Sequence, residues 1–129
     1  VKKAQFLSGD DMIYPIEKLK EGGCKNIWAT ERGNMFGYGN LVVDFRNLER
    51  MHKYTDTVLM DCTHSVVTSI FDSYDDRSRQ IKSIALAAKA FGANGYFFEV
   101  HPTPCEALCD ANTMLNVYEL GGIVEELVK

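Results

Sequence analysis

Five side chains spread along the sequence could together perform chemistry. Lys2 and Arg32 carry positive charge, while His64, Glu99 and Asp110 supply an imidazole and two carboxylates. Cationic side chains bind phosphate and carboxylate groups. An imidazole with two carboxylates suits a divalent metal with open coordination positions, and it equally suits acid–base catalysis on water. The spacing of these residues alone leaves both uses open.

Short apolar segments that predict β-strands must position these side chains. The predicted strands are residues 1–7, 27–29, 57–64 and 95–100, and helices with one apolar side are predicted at residues 12–21, 41–54, 77–91 and 116–127. Strands that alternate with helices form parallel sheets with right-handed crossovers. The carboxyl ends of parallel strands share one rim, where such folds place their sites. We therefore expect Arg32, Asp61, His64, Glu99 and His101 to converge there, with Lys2 facing the same ligand.

The connecting segments carry further signals. The run at 57–64 is almost continuously apolar, which predicts a strand buried on both faces. A loop with glycines at positions 33, 37 and 39 follows Arg32, and such loops turn tightly or approach a ligand closely. Residues 65–76 form a long polar segment that predicts a lid or binding loop. Asn116 with Glu119 predicts a capping box for the last helix.

Each candidate residue also has an ordinary structural interpretation. A surface arginine beside a turn would account for Arg32, and a hydrogen-bonded structural histidine would account for His64. Helix caps would account for Glu99 and Asp110. The predicted convergence of all these residues on one rim favours the functional interpretation.

The composition excludes several classes of protein. Among 129 residues, 46% are hydrophobic and 25% are charged, which indicates one globular domain rather than a disordered chain. The net charge of -4 argues against a nucleic-acid partner. The sequence has neither a membrane-spanning apolar run nor a signal-peptide pattern, so we expect a cytoplasmic protein. The four cysteines lack a C-x-x-C spacing, so reduced and mostly buried thiols are expected.

Five segments of the sequence resemble the 3-deoxy-D-manno-octulosonate 8-phosphate synthase family. They are V-K-K-A-Q-F at 1–6, E-R-G-N-M-F-G-Y-G-N-L-V-V-D-F at 31–45, D-C-T-H-S-V at 61–66, F-E-V-H-P-T-P at 98–104 and C-D-A-N-T at 109–113. The resemblance implies an α/β fold, the (β/α)8 TIM barrel, in which residues 1–129 form one α/β unit corresponding to strands five to eight. Such barrels need about 250 residues, so this chain would be the C-terminal half.

The resemblance also implies an activity and a role for each candidate residue. The family condenses phosphoenolpyruvate with arabinose 5-phosphate, and this chain would be such a transferase or its catalytic half. Lys2 and Arg32 match the residues that hold phosphoenolpyruvate. His64, Glu99 and Asp110 match the catalytic rim, which in metal-dependent members binds zinc, iron or manganese together with a cysteine of the first strand.

Two positions of the family pattern differ in this sequence or lie outside it. None of the four cysteines occupies the first-strand position, so the metal-dependent and metal-independent classes both stay open. Val67 stands where the family usually has a glutamine, which predicts a reshaped loop after His64.

Two other functions compete with this interpretation. One is a sister synthase that uses another aldose, although G-Y-G-N-L-V-V-D-F favours the octulosonate branch. The other is a non-catalytic half-barrel that binds a phosphorylated metabolite or assembles with a partner chain. Open strand edges recruit further strands, so we expect a homo-oligomer or pairing with an N-terminal half.

Overall fold

The computed structural model describes residues 1–66 and 73–129, in which helices and strands largely alternate. The elements are α1 (Ile13–Glu21), β1 (Trp28–Glu31), α2 (Arg46–Met51), β2 (Thr57–Asp61), α3 (Tyr74–Ala90), β3 (Gly95–Phe97), β4 (Val100–His101), β5 (Leu115–Asn116) and α4 (Val117–Leu127). Short 3-10 helices occupy Asp10–Met12 and Pro104–Glu106. The predicted α/β class is confirmed.

The strands pair in parallel, as the alternation predicts. β1, β2 and β3 form one sheet in that order, with Thr30 opposite Leu59 and Leu59 opposite Gly95. A single parallel bridge joins Lys2 to Thr30, so the start of the chain lies along the free edge of β1. β4 and β5 form a separate parallel pair. The carboxyl ends of β1, β2 and β3 therefore lie on one side, as the predicted rim requires.

The helices cover one face of the three-stranded sheet. Val58 and Met60 of β2 are fully buried in a cluster that includes Leu48 from α2 and Ile81 from α3. The alternate residues of β2 face the other way, and Leu59 there is only half-buried. Asp61 on this second face is also fully buried, so the predicted burial on both faces is confirmed in part: it is complete on the Met60 face, where the helices pack, and partial at Thr57 and Leu59.

α3 begins earlier than its apolar pattern predicts. The hydroxyl of Ser73 accepts a hydrogen bond from the backbone N–H of Asp76 at 3.2 Å, so Ser73 is the N-cap. The predicted start at residue 77 is wrong because the polar first turn carries no apolar periodicity. The predicted loop at 65–76 is correspondingly shorter, and its centre, with Val67 and the predicted lid, lies outside the described residues.

A tyrosine hydroxyl closes the cap of α4. The Asn116 side chain accepts from Tyr118 N at 2.8 Å, which confirms the predicted N-cap. The predicted capping box is wrong, because Glu119 does not bond to Asn116 N directly. Tyr74 Oη stands between them, accepting from Asn116 N at 2.7 Å and donating to Glu119 Oε2 at 2.5 Å. Burial and the bond to Glu119 raise the pKa of Tyr74 to about 12.

Three other predicted elements are shorter than expected. The predicted helix at 41–54 is reduced to α2, because Val42 instead pairs with Asn34 in an antiparallel bridge. The predicted strand at 1–7 turns after its bridge to β1, where Leu7 N donates to Ala4 O at 3.1 Å. The predicted strand at 95–100 divides into β3 and β4, with Glu99 between them.

Candidate functional site

Asp61, the last residue of β2, organises the site. It is fully buried. Its Oδ1 accepts from the backbone N–H groups of Thr63 and His64 at 3.1 and 2.9 Å, and from the Thr63 hydroxyl at 3.2 Å. These bonds form the local turn that aspartate favours after a strand. They also fix where the His64 backbone leaves the sheet.

The second oxygen of Asp61 binds two side chains. Lys2 Nζ lies 2.5 Å from Asp61 Oδ2, and His64 Nδ1 lies 2.8 Å from the same oxygen. The Lys2 ammonium also lies 4.1 Å from the centroid of the Phe97 ring, within cation–π range. The Lys2 side chain stays 34% exposed.

Glu99 faces the other nitrogen of the imidazole. His64 Nε2 lies 2.7 Å from Glu99 Oε2, and Glu99 N donates to the Thr63 hydroxyl at 3.1 Å. Glu99 Oε2 is nevertheless buried without a well-aligned hydrogen bond. His64 therefore lies between the carboxylates of Asp61 and Glu99. The Asp61 carboxylate also binds Lys2, whereas Glu99 Oε2 lacks a well-aligned hydrogen bond.

Asp110 completes a group of three ligand atoms. One ligand atom each from His64, Glu99 and Asp110 lies within 4.8 Å of the others. Asp110 has a φ of 50°, in the left-handed region that aspartate tolerates in turns, and its carbonyl accepts from Thr113 N at 2.8 Å. The thiol of the preceding residue, Cys109, reflects the local negative charge: burial, Asp110 and Glu99 all raise its pKa.

This group fits a divalent metal ion on structural grounds. Imidazole nitrogen and carboxylate oxygens are ligands for zinc, iron and manganese. The contact from His64 Nδ1 to Asp61 orients Nε2 in the way that carboxylate–histidine pairs orient metal ligands. The unpartnered Glu99 Oε2 is the acceptor that a cation would satisfy. His64, Glu99 and Asp110 are therefore the residues that could hold such an ion.

Arg32 lies beyond the end of β1, apart from this hydrogen-bonded group. Its backbone N–H donates to Glu31 Oε1 at 2.8 Å, and its Nε is buried without a hydrogen-bond partner among the described residues. Strand alternation places Arg32 on the same face as Thr30, the bridge partner of Lys2. This nitrogen therefore lacks the hydrogen bond that buried donors ordinarily make.

The predicted residues are thus brought together to different degrees. His64, Glu99 and Asp110 form one cluster, and Lys2 joins it through Asp61. Arg32 shares the rim through its strand, without a direct bond to the cluster.

Asp61 was predicted to lie at the rim but was given no role, and two further supporting residues, Thr63 and Lys3, were not predicted. His101, also predicted at the rim, instead contacts the Thr103 carbonyl through Nδ1 at 2.8 Å. Asp61 and Thr63 bind His64 and Glu99, and Lys3 is buried beneath the loop that follows Arg32. An aspartate two and three residues before Thr63 and His64 is a turn signal that could have indicated the first two. Nothing in the pair of adjacent lysines separates Lys3 from Lys2.

None of the helices found in 1–66 and 73–129 has the length and apolar character needed to cross a lipid bilayer.

Comparison with known proteins identifies relatives along the whole chain. Residues 1–129 match the model of the DAHP synthetase I family. The 2-dehydro-3-deoxyphosphooctonate aldolase of Campylobacter jejuni subsp. jejuni serotype O:23/36 (strain 81-176) is 40% identical over 142 aligned positions, covering 100% of this chain and 52% of the relative. The enzyme of that name from Nitratidesulfovibrio vulgaris (strain DP4) is 40% identical, covering 98% of this chain and 47% of the relative. The one from Synechococcus sp. is 40% identical, covering 100% and 46%.

These relatives carry the alternative name of the synthase that the motifs resemble, so the predicted resemblance is confirmed. The chain spans about half the length of the curated relatives it matches. The match covers every residue from the first lysines to the end of α4. The chain therefore belongs to the DAHP synthetase I family.

Proposed function

We propose that this chain supplies the catalytic rim of a synthase that condenses phosphoenolpyruvate with arabinose 5-phosphate, releasing phosphate. The cluster of His64, Glu99 and Asp110, with ligand atoms within 4.8 Å of one another, carries this proposal. The names of relatives at 40% identity support it. We further propose that residues 1–129 are a single α/β unit containing strands five to eight of a (β/α)8 barrel, which the parallel sheet and its one-sided helix layer support.

In this proposal, Lys2 and Arg32 hold the anionic groups of phosphoenolpyruvate. The part-exposed Lys2 ammonium offers a point charge, and the unpartnered Nε of Arg32 belongs to a fork that fits a phosphate or carboxylate. Neutralising these groups fixes the enol with its nucleophilic carbon towards the aldehyde of the sugar. The new carbon–carbon bond joins that carbon to the aldehyde carbon, whose oxygen takes up a proton.

The imidazole and carboxylates serve the second half of the reaction, in which water adds to the carbon that bears the phosphate. Asp61 contacts Nδ1 of His64, so Nε2 faces the Glu99 carboxylate. His64 Nε2 and Glu99 Oε2 lie 2.7 Å apart, and whichever of the two is unprotonated can take the proton that water loses. A divalent metal held by His64, Glu99 and Asp110 would supply Lewis-acid polarisation of the aldehyde or of water. Cleavage of the carbon–oxygen bond to the phosphate then completes the reaction.

Phosphate release from phosphoenolpyruvate in the presence of arabinose 5-phosphate tests the proposal, in the natural polypeptide that contains these residues. We expect turnover, and we expect Arg32→Ala to abolish binding of phosphoenolpyruvate. Arg46→Ala is the matched control, because Arg46 pairs with Asp44 on the surface and should leave binding unchanged. Binding of phosphoenolpyruvate without turnover would instead support the non-catalytic alternative. Turnover only with a different aldose phosphate would support a sister synthase.

We also propose that the chain assembles with a second copy or with another segment of its natural polypeptide. Leu59 lies on the half-buried face of the sheet, and Trp28 and Phe6 are 60% and 70% exposed. Apolar surfaces of this kind mark interaction sites. Light scattering at micromolar concentration tests assembly with a second copy, and a stable monomer of the 129-residue chain would contradict that form of the proposal. The prediction of mostly buried thiols is wrong, because Cys62 is buried but Cys24, Cys105 and Cys109 are exposed. Free thiols are the state expected in the cytoplasm, which is the location that we propose.

A further inference from the structure

Lys3 and Glu31 form a buried ion pair on the opposite face of the sheet from Lys2. Both side chains are fully buried, and Lys3 Nζ lies 3.3 Å from Glu31 Oε1. Glu31 pairs in register with Met60, so it points towards the helix layer, and alternation along the first segment sends Lys2 and Lys3 to opposite faces. This pair is therefore separate from the network around Asp61.

The two side chains form hydrogen bonds with the backbone at Arg32 and at the residue directly after it. Glu31 Oε1 accepts from the N–H groups of Arg32 at 2.8 Å and of Gly33 at 2.6 Å. Lys3 Nζ donates to the Gly33 carbonyl at 3.1 Å and to Asn34 Oδ1 at 3.3 Å. Both polar groups of the Gly33 backbone are thus held by the one ion pair.

Gly33 is the residue at which the chain turns. Its φ of 87° lies in the left-handed region, and a Cβ there would come within 3.3 Å of Leu41 Cβ. Lys3 Nζ also donates to the Leu7 carbonyl at 3.0 Å, which ties the turn to the first segment of the chain. The position of the Arg32 backbone is consequently fixed both by Glu31 and by Lys3.

Burying two charges has a cost that a purely stabilising contact would avoid. Apolar residues of similar volume often stabilise a core as well as a buried ion pair does, or better. The pair instead fixes three backbone polar groups on either side of Arg32, whose own Nε is buried without a described partner. The backbone, rather than a side-chain partner, therefore sets the direction of the guanidinium.

We propose that Lys3 and Glu31 are positioning residues that preorganise Arg32 to bind an anionic ligand. This inference rests on the proposed function of Arg32 as a ligand for phosphoenolpyruvate. An arginine fixed before the ligand arrives loses little conformational freedom on binding, so removing the pair weakens ligand binding more than it alters the chemical step.

The test compares variants of the buried pair in the natural polypeptide that contains these residues. Lys3→Met with Glu31→Met replaces both charges by apolar side chains of similar size and leaves no unpaired charge. Glu31→Gln is the conservative variant, because an amide oxygen still accepts from the Arg32 and Gly33 N–H groups. Lys20→Met with Glu17→Gln is the control, since that pair has a similar separation, 2.8 Å, but is exposed.

Two measurements are made on each variant. Hydrogen exchange at the Arg32 and Gly33 amides reports the turn directly, and we expect the double methionine variant to accelerate it by at least about tenfold. The Michaelis constant for phosphoenolpyruvate should rise about tenfold or more, while kcat changes much less and the constant for arabinose 5-phosphate stays the same. Glu31→Gln keeps the acceptor for both N–H groups but leaves Lys3 without its counter-charge, so it should show smaller effects than the double variant, and the exposed control should show neither effect.

The outcomes separate this inference from the proposed function. A folded double variant with unchanged affinity for phosphoenolpyruvate overturns the positioning role. Unchanged exchange at Arg32 and Gly33 overturns it as well, whatever the activity. If the unmodified protein fails to bind phosphoenolpyruvate, the proposed function fails, and accelerated exchange still supports control of the Arg32 backbone by the pair.

Discussion

Replacing Asp61 by asparagine should destabilise the fold and loosen the site at the same time. The substitution keeps the size of the side chain and one oxygen for the bonds from Thr63 and His64 N–H. It replaces the other oxygen by an amide NH2 group. That group is a hydrogen-bond donor and would face two other donors, the Lys2 ammonium and His64 Nδ1.

The magnitude follows from the bonds at Asp61 Oδ2. Two charge-assisted hydrogen bonds are lost, each worth about 1.5–3 kcal/mol when buried. The share from Lys2 is reduced by solvent, because a third of its side chain is exposed, whereas His64 is only 20% exposed. We therefore expect the free energy of unfolding to fall by about 2–4 kcal/mol, near the range for breaking one side of a buried pair.

Urea denaturation followed by circular dichroism measures this loss. Glu17→Gln is the control, because Glu17 also pairs with a lysine but its side chain is 51% exposed, so it should cost at most about 0.5 kcal/mol. A competition titration with zinc measures the second effect, which should be a 10- to 100-fold loss of affinity since Asp61 orients a ligand histidine. A stability loss below about 1 kcal/mol together with unchanged zinc affinity would refute the role given to Asp61.

Three further predictions concern the rest of the chain. Gly121→Ala in α4 should stabilise the chain by about 0.5–1 kcal/mol in urea, because its Cβ meets nothing within 4 Å; Gly39→Ala, equally open but at a φ of 88°, should destabilise it. Ellman's reagent should leave Cys62 unmodified in the native protein, since burial and Asp61 raise the pKa of that buried thiol, and should modify Cys109 more slowly than Cys105 because the Cys109 pKa is also raised. The free energy of unfolding should fall as the pH drops below about 4: carboxyls whose pKa is lowered in the folded state stabilise it above their unfolded pKa and lose that contribution as they protonate. The groups concerned are Asp11, Asp44, Asp76 and Glu126, and stability that stays constant down to pH 3, measured by urea titration at low salt, would contradict the prediction.

The rim could be predicted because its reactive side chains lie at the carboxyl ends of strands, which can be recognised in the sequence. An apolar run that stops at a polar residue predicts both the strand and the residue at its carboxyl end, and parallel pairing then brings different strand ends together. His64 and Glu99 follow this logic and lie 2.7 Å apart. Asp110 was grouped with them as a second carboxylate although it does not end a predicted strand, and the structure places it beside them.

The parts that could not be predicted depend on contacts between distant segments. Lys2 and Lys3 are chemically identical in the sequence, and only the register against β1 decides which faces the site and which is buried with Glu31. Apolar residues at spacings of three suggested a helix from residue 41, but pairing of Val42 with Asn34 outweighs that local preference. Asp61 was visible only as the end of a strand, because its partners lie 59 residues upstream and three residues downstream.

The hydroxyl of Tyr74 links two helix beginnings that are far apart in the sequence. It accepts from Asn116 and donates to Glu119, so phenylalanine at position 74 would deprive both groups of their partner. We therefore expect residues 74, 116 and 119 to vary together in evolution. In homologues that lack the tyrosine at position 74, we expect a shorter acidic or amide side chain at position 119 that bonds to the Asn116 N–H directly. An alignment of the family can reveal this covariation.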